Sequence, residues 1–243
     1  MAISVNTVYQ RVLGILNKEQ RGYVTAQEFN LFANQAQQDL FEQYFYDINQ
    51  FGRVPGNDTE YSDMLTLLNE KINIFETIAA PTRNAGYFIA PTDLYRLGTV
   101  VYKNTTTNSF GTSSTEQIEA ERINANEFLY INSSPLTKPT NTRPVFTSNT
   151  SGIKVYANSE IDSVALVDYQ YIKKPTTAEW GYQMVFNEAL YDASTAVDFE
   201  LHPSDETELV IKILELCGIL IKDINLYSVF DKEEQETIQQ HKS

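Results

Sequence analysis

The chain has 243 residues, of which 42% are hydrophobic and 21% charged, and its formal net charge is −14 at pH 7. A chain of this length buries a sizeable core, either as one domain with a large insertion or as two small domains. The acidic balance argues against sequence-specific nucleic-acid binding, because such proteins contact phosphates through basic stripes. Lys173-Lys174 is the only basic doublet in the chain.

The short apolar runs argue against a membrane-spanning protein, and the single cysteine argues against a disulfide-stabilised secreted protein. No apolar run approaches the roughly 20 residues that span a bilayer, and the opening MAISVNTVYQ lacks the features of a signal peptide. Cys217 is the single cysteine, so no disulfide forms within the chain. We therefore expect a soluble globular protein made in the cytosol, without a membrane segment.

The N-terminal region has the periodicity of two amphipathic helices. Apolar residues at helical spacing predict a first helix from about Ser4 to Leu16. The segment Thr25-Ala-Gln-Glu28 is a capping-box pattern, which predicts that a second helix starts at Thr25. The apolar stripe of that second helix consists of Phe29, Ala33, Ala36, Leu40, Tyr44 and Ile48.

A composition rich in Thr, Asn, Ser and Pro follows Pro81 and favours β structure over helix. The polar run at 104–115 predicts a mobile hairpin tip. Before Pro81, the segment at 62–78 is predicted to be helical in its first half and is undecided between helix and strand in its second. After Pro81, the predicted elements are strands at Tyr87–Ala90 and Leu94–Lys103 and a short helix at Glu119–Ile131.

The stretch from Ile153 to Trp180 reads as two strands joined by a polar turn, followed by a Lys-Lys-Pro exit. Its second strand has the two-residue alternation of a half-buried strand. The apolar face carries Ala165, Val167, Tyr169 and Tyr171, and the other face turns polar at Asp168 and Gln170.

Helical spacing returns after Trp180. Val185, Ala189, Ala193 and Ala196 share one face of a predicted helix that His202-Pro203 ends. Ser204 is predicted to cap a last helix, and Asp205, Glu206 and Glu208 complement the positive end of its dipole. The apolar residues of this last helix cover so wide an arc that we expect packing on two sides; they are Leu209, Val210, Ile213, Leu214, Leu216, Cys217, Leu220 and Ile221.

The predicted fold class is therefore α+β, with a helical bundle formed by the N- and C-terminal helices and a central antiparallel β module, sandwich-like or barrel-like, inserted between them. The predicted parts are residues 1–80 for the N-terminal helices, 81–180 for the β module with its tip at 104–115, and 181–243 for the C-terminal helices and a polar tail.

The segment Asn17–Glu28 has the outline of an EF-hand calcium loop, with Gly22 at the sixth position and Glu28 at the twelfth. Its ligand positions do not suit calcium, because Asn17 holds the first and Arg21 the fifth, where a guanidinium replaces an oxygen donor. A joint between two helices, with Glu28 in a cap, explains the same residues. We therefore favour the joint over a calcium site.

No set of residues forms an enzyme-like constellation. His202 precedes a helix-ending proline and His241 lies in the polar tail, and these are the two histidines of the chain. Cys217 lies on an apolar helix face, where a free cysteine usually packs as a small hydrophobe. We predict no catalytic residue, no cofactor site and no metal site, and hence a protein that is not an enzyme.

Four motifs follow one another in an order that resembles a known protein family. They are EQRGYVTAQEFNLFANQAQQDLFEQYF, APTDLYRLGTVVY, the segment Arg143–Phe146 and IKVYANSEIDSVALVDYQYIKKPTTAEW. Together they resemble a virion protein of tailed bacteriophages, of the crAss-like and related short-tailed kind. The resemblance covers most of the chain, is strongest at Asn17–Phe45 and Val155–Trp180, and rests on the order of the motifs.

The resemblance implies a head-to-tail connector: a homo-oligomeric ring, commonly twelve-fold, in the neck or tail of the virion. Its implied partners are further copies of itself, the portal protein and adjacent ring or tail proteins. Viral DNA would pass through the channel without specific binding, and no membrane is involved. The protein would be made in the cytoplasm of the bacterial host, and Asp231–Ser243 is the candidate contact with the portal.

Two alternatives remain beside the connector. One is another virion component, such as a tail tube, fibre-base or capsid accessory protein. The other is an EF-hand-like calcium-binding interaction module built on Asn17–Glu28.

Overall fold

The computed structural model describes residues 2–18, 24–51, 60–107, 113–186, 188–220 and 232. Helices and antiparallel sheets are both present, so the predicted α+β class is confirmed. The chain divides into two compact units, one made of Met1–Ile74 with Pro175–Ser243 and the other of Phe75–Lys174. Both ends of the chain thus belong to the first unit, and the boundaries of the second lie a few residues before the predicted 81 and 180.

The helices of the first unit follow the apolar patterns of the sequence. The predicted capping box is present: Glu28 Oε2 accepts from the Thr25 amide at 2.8 Å, and Thr25 Oγ1 accepts from the Glu28 amide at 3.3 Å. Asp198 satisfies another free helix amide, since its Oδ1 accepts from Val5 N at 2.9 Å. The helices are α1 (Val5–Lys18), α2 (Ala26–Phe51), α3 (Glu60–Asn73) and α5 (Glu206–Leu220). The helix between α3 and α5 in the chain, α4 (Ala125–Ser133), belongs to the second unit.

The core of the first unit lies where α2 packs against α3 and α5 and where α1 packs against α5. The predicted stripe of α2 is buried from Phe29 to Tyr44, while Ile48 is half-buried. The wide apolar arc of α5 is likewise buried along most of the described length, as predicted. Its buried members are Leu209, Val210, Ile213, Leu214 and Cys217.

The helix predicted after Trp180 is wrong. Residues Tyr182–Val185 (β10) and Glu188–Tyr191 (β11) form an antiparallel hairpin instead, and the predicted helix face is divided between this hairpin and the irregular segment that follows it. Alanines at a spacing of four matched a helix by coincidence, whereas tyrosine, valine and phenylalanine in the same stretch favour strands. The last helix is preceded by a 3₁₀ turn, Pro203–Asp205, whose N-cap is His202 rather than Ser204.

The second unit contains two antiparallel-rich sheets. Their strands are β1 (Glu76–Ala79), β2 (Thr82–Asn84), β3 (Tyr87–Ile89), β4 (Leu94–Thr107), β5 (Ser113–Glu119), β6 (Glu121–Arg122), β7 (Val145–Asn149), β8 (Gly152–Tyr156) and β9 (Val167–Lys173). One sheet has the order β1-β9-β4-β5 and the other β2-β3-β8-β7-β6, in which β6 and β7 are parallel.

The two strands predicted in 153–180 are β8 and β9, and they lie in different sheets rather than pairing with each other. The predicted alternation of β9 is confirmed from Val167 onward: Val167, Tyr169 and Tyr171 are buried, and Gln170 is exposed. Residues 164–166, predicted as the start of this strand, form a 3₁₀ turn. The core of the unit gathers around β9 and consists of Phe88, Val100, Ala120, Phe146, Ile153, Val155, Val167, Tyr169 and Tyr171.

Three further predictions, at 62–78, Glu119–Ile131 and 104–115, need adjustment. The segment at 62–78 ends its helix at Asn73 and continues as β1, which resolves the undecided half as a strand. The helix predicted at Glu119–Ile131 begins only at Ala125, as α4 (Ala125–Ser133), because Glu119, Glu121 and Arg122 belong to strands. Strands also continue into the predicted tip at 104–115, and residues 108–112 lie outside the described part of the chain.

None of the helices in the described part of the chain has the length and apolar character that crossing a bilayer requires.

Candidate functional site

The hairpin β10–β11 is the candidate interaction site of the first unit. Its register pairs Tyr182 with Tyr191 at the base and Val185 with Glu188 at the end. Because the side chains of directly paired residues lie on the same face of a sheet, Tyr182 and Tyr191 share one face. That face packs on Trp180, since both tyrosine rings lie 5.9 Å from the indole between centroids.

Trp180 is the buried anchor of this hairpin. Only 3% of its surface is exposed. Its ring stacks on Tyr9 of α1 at 4.0 Å between centroids, and its Nε1 donates to Asn6 Oδ1 at 3.2 Å. An indole that is buried needs such an acceptor. The base of the hairpin is thus fastened to α1 by stacking and by a hydrogen bond.

Asp192 closes the base of the hairpin. Its Oδ1 accepts from the Ser194 hydroxyl at 2.6 Å and the Ser194 amide at 2.9 Å, and its Oδ2 accepts from Gln183 at 2.7 Å. The pKa of Asp192 is lowered by the two hydrogen bonds from Ser194, the hydroxyl first, and by that from Gln183. Gly181 is required beside it, because a Cβ there would lie 2.6 Å from Ala196 N and 2.7 Å from Asp192 O.

The far end of the hairpin is apolar and open to solvent. We call Met184, Val185 and Phe186 the hairpin tip; they are 61%, 40% and 98% exposed. Leu190, on the neighbouring strand, is 52% exposed. Phe186 also has a φ of 50°, which is rare for a bulky residue. Apolar side chains on both faces of a short hairpin are typical of a protein contact surface rather than of a solvated turn.

A groove of about 380 Å³ lies between α1 and β11. The buried aromatic rings of Tyr9 and Trp180 belong to its lining. Among the described residues that line it, Glu188 alone is charged. We call it the α1 groove; it is lined by Asn6, Tyr9, Gln10, Leu13, Trp180, Glu188, Ala189 and Tyr191.

The segment 175–180, which leads into the hairpin, is held by side chains of α2. Asn30 Oδ1 accepts from Trp180 N and Asn34 Oδ1 accepts from Ala178 N, both at 2.8 Å. The same carboxamides donate back to the carbonyls of Trp180 and Ala178, at 3.4 and 2.8 Å. Gln37 continues the series by donating to Thr176 O at 2.7 Å.

These three carboxamides, which we call the carboxamide ladder, match an extended chain because of their spacing. Four helical positions rise about 6 Å, close to the length of about 6.6 Å that two extended residues span. Asn30 and Asn34 therefore meet every second residue of the segment, as a neighbouring strand would. Sequence reasoning missed the ladder, although Asn30, Asn34 and Gln37 share one side of the predicted helix.

Asp205, in the 3₁₀ turn before α5, does more than complement a helix dipole. Asp205 is 2% exposed. It accepts from Lys71 Nζ at 2.6 Å and from the Tyr44 hydroxyl at 2.5 Å. Burial, followed by the charge of Asp205, raises the pKa of the Tyr44 phenol far above its ordinary value. This cluster joins α2, α3 and the turn before α5. The Tyr44 hydroxyl and the Lys71 ammonium are each bonded to an Asp205 carboxylate oxygen, so these groups hold the helices together.

Of the residues weighed for chemistry, His202 and Cys217 are described, and each has a structural role. His202 Nδ1 accepts from the Ser204 amide at 3.2 Å. Cys217 is buried, and burial raises the pKa of its thiol to about 12. His241 and the tail segment Asp231–Ser243, Lys232 apart, lie outside the described residues. Within the described ranges no three His, Cys, Asp or Glu side chains cluster in a way that would hold a metal ion.

The segment Asn17–Glu28, weighed as an alternative calcium loop, is described only at its two ends. Residues 19–23, which include the positions of Arg21 and Gly22, lie outside the described residues. Glu28, the twelfth position, uses Oε2 to accept from both the amide and the hydroxyl of Thr25, at 2.8 and 2.7 Å. These hydrogen bonds, that from the amide first, lower the pKa of Glu28. Its carboxylate is thus engaged in the helix cap.

Comparison with models of known protein families found no match, and comparison with curated proteins found none either.

Proposed function

We propose that this chain is a structural virion protein that forms an oligomeric ring in the head-to-tail connector of a tailed bacteriophage, links the portal to the tail and lets the genome pass. The hairpin tip carries the proposal. A chain of net charge −14 that exposes 98% of a phenylalanine at the end of a hairpin presents a surface suited to protein partners. Nucleic acid would instead require basic residues at such a surface.

The arrangement of the two units supports the same function. Both ends of the chain build the helical unit, and the β unit is inserted between them. The resemblance implies such an order, in which a β module ends in an aromatic strand and a basic residue before proline. Here β9 carries Tyr169 and Tyr171, and Lys174 precedes Pro175.

The partners of the proposed connector follow from the resemblance. They are further copies of the chain in a twelve-fold ring, the portal protein, and adjacent ring or tail proteins. The negative charge would let DNA slide through the channel, because like charges keep it from adhering. The segment Asp231–Ser243 is proposed to contact the portal.

Imaging of virions that carry the chain with an N-terminal tag tests this function. We expect tag density at the neck, between head and tail, in the copy number of a ring. A matched sample with an untagged chain shows whether the density belongs to the tag. Tag density on the tail tube, at a fibre base or on the capsid would favour the other virion component. A chain that is absent from purified virions would refute both.

A second test asks what the chain does during assembly. A phage that lacks the chain should produce heads that fill with DNA but do not join tails, and expression of the intact chain in the host should restore joining. Normal tailed particles from such a phage would overturn the proposal.

A further inference from the structure

We propose that a groove beside strand β4 binds an extended peptide segment of a partner protein, which adds to β4 as a further strand. We call it the edge groove; its volume is about 440 Å³, and it is lined by residues 97–100, residues 119–122 and Phe146. All of these residues belong to the second unit. The inference goes beyond the proposed function, because it assigns a binding site to the β unit whichever protein supplies the segment.

The first half of β4 is paired on one side only. β9 pairs with β4 from Leu94 onward, whereas β5 pairs with it only from Val101 onward. After the Ala120 amide, which donates to the Val100 carbonyl at 2.8 Å, the chain of β5 leaves β4 and continues as β6 beside β7. Among the described strands, β4 therefore has β9 as its single partner between Leu94 and Thr99.

The lining of the edge groove indicates that strand backbone forms its walls. A groove on the face of a sheet is lined by every second residue of a strand, because side chains alternate between the two faces. The edge groove is instead lined by two sets of four consecutive residues, 97–100 and 119–122. Strand edges present N–H and C=O groups with which another strand pairs. This chemistry fits the backbone of an extended peptide.

Part of the lining is apolar and belongs to the core of the unit. Val100, Ala120 and Phe146 are buried, whereas Gly98 is exposed. Four extended residues span about 13 Å, so a short segment is long enough to pair with residues 97–100. In strand addition the main-chain hydrogen bonds supply affinity, and contacts of alternate side chains supply specificity. We therefore expect an apolar side chain at every second position of the bound segment.

The charged residues of the lining favour a segment without net charge. They are Glu119, Glu121 and Arg122. Glu121 forms an ion pair with Arg143 at 3.2 Å, and the charges of Glu119 and Arg122 are opposite. The acidic character of the whole chain is thus not repeated in this groove, and neither a nucleic acid nor a strongly basic peptide is favoured there.

The shape of β4 favours a single peptide over the sheet edge of a second copy. The register of β4 against β9 shifts between Leu94 and Arg96 and again between Leu97 and Thr99. Such bulges bend a strand and oppose edge-to-edge pairing of whole sheets. A peptide that is not held in a sheet of its own follows the bend.

Titration of the full ¹⁵N-labelled chain with the peptide acetyl-KTVTVTE-amide tests the site. The probe has no net charge and alternates polar and apolar side chains, and a generic sequence suffices because main-chain hydrogen bonds supply the affinity. We expect saturable shifts of the amide resonances at 97–100 and 119–122, with a Kd of about 1 mM or lower. At about 5 mM peptide, hydrogen exchange of the amides at 97–99 should slow by about fivefold or more.

The matched control is the same peptide with every Thr and Val N-methylated, which keeps the side chains but removes their backbone N–H donors. It should produce neither the shifts nor the protection. An internal control is β2 (Thr82–Asn84), the strand at one end of the other sheet, whose amides should not respond. Equal effects of the two peptides, equal responses of β2 and residues 97–100, or no saturable shift would overturn the inference.

The outcomes separate this inference from the proposed function. A chain that lies in the neck of imaged virions but fails the peptide titration keeps the connector function and loses the strand-addition site. A chain that binds the unmethylated peptide alone but is absent from virions keeps this site and loses the connector function.

Discussion

Lys71 on α3 and Asp205 before α5 form a buried ion pair, with 2.6 Å between Nζ and Oδ1 and side chains that are 9% and 3% exposed. Tyr44 on α2 donates to the other carboxylate oxygen at 2.5 Å. Three helical segments thus meet at one carboxylate. Taking two charges out of water is costly, and their attraction offsets this cost only while both partners are present.

We expect Lys71→Met to lower the free energy of unfolding by about 3–5 kcal/mol, because it leaves the Asp205 carboxylate buried without its cation. Urea denaturation followed through the fluorescence of Trp180, the single tryptophan, measures the change. Arg11→Met is the matched control: its ion pair with Glu206 spans 2.9 Å, but the side chains are 52% and 29% exposed. Loss of that pair should cost no more than about 1 kcal/mol. If Lys71→Met and Arg11→Met lost equal free energies of unfolding, the Lys71–Asp205 pair would not contribute more to stability than an exposed ion pair.

The carboxamide ladder predicts a local effect on the segment 175–180. Asn34→Ala removes both partners of the Ala178 backbone, and each buried group left without a partner costs about 1–3 kcal/mol. We expect faster hydrogen exchange at the Ala178 and Trp180 amides and a loss of stability in this range. Gln38→Ala, on the exposed side of α2, removes only a contact with Glu42 and should change stability by less than about 0.5 kcal/mol. Unchanged exchange in Asn34→Ala would show that α2 does not hold the segment.

The sequence predicted helices where one local pattern decides the outcome, as in α2, whose capping box and apolar stripe lie within one continuous segment. It could not predict which strands pair, because β8 and β9 are neighbours in the chain but belong to different sheets. Pairing depends on contacts between distant residues that periodicity does not encode.

The candidate site was missed for a related reason. A hairpin with apolar residues on both faces shows no alternation between apolar and polar positions, so the spacing of Ala189 and Ala193 favoured a helix. The ladder was visible only as polar residues on one side of α2. Its role depends on the segment 175–180, which the sequence alone does not bring to that side.

Two glycines of the first unit should respond in opposite directions to the same change. Gly181→Ala places a Cβ 2.7 Å from the Asp192 carbonyl and 2.6 Å from the Ala196 amide. We expect this crowding at the base of the hairpin to cost about 1–3 kcal/mol. Gly14 lies within α1 with nothing near a Cβ, so Gly14→Ala should stabilise the chain by about 0.5–1 kcal/mol. Thermal unfolding of the two variants beside the parent chain measures both changes in stability. A Gly181→Ala variant as stable as the parent chain would show that the base of the hairpin accommodates a Cβ at position 181.

Tyr169 predicts how the β unit responds to alkaline pH. The side chain is fully buried and its hydroxyl donates to the Phe88 carbonyl at 3.3 Å. Burial raises the pKa of its phenol well above the ordinary value of 10.0. The neutral form is therefore favoured in the folded chain, so this stabilisation is complete below about pH 10 and is lost as the pH rises from there toward the folded-state pKa.

The expected slope of that loss is about 1.4 kcal/mol per pH unit for one tyrosine that ionises only when unfolded. Tyr169→Phe should lose about 1 kcal/mol at neutral pH with its hydrogen bond, and should show a flatter decline of stability between pH 10 and 12. Denaturant unfolding at a series of pH values measures both effects. Tyr130→Phe, which changes a tyrosine that is 78% exposed on α4, should leave the slope of the parent chain unchanged. If Tyr169→Phe declines as steeply as the parent chain, then the buried phenol is not what makes this unit sensitive to base.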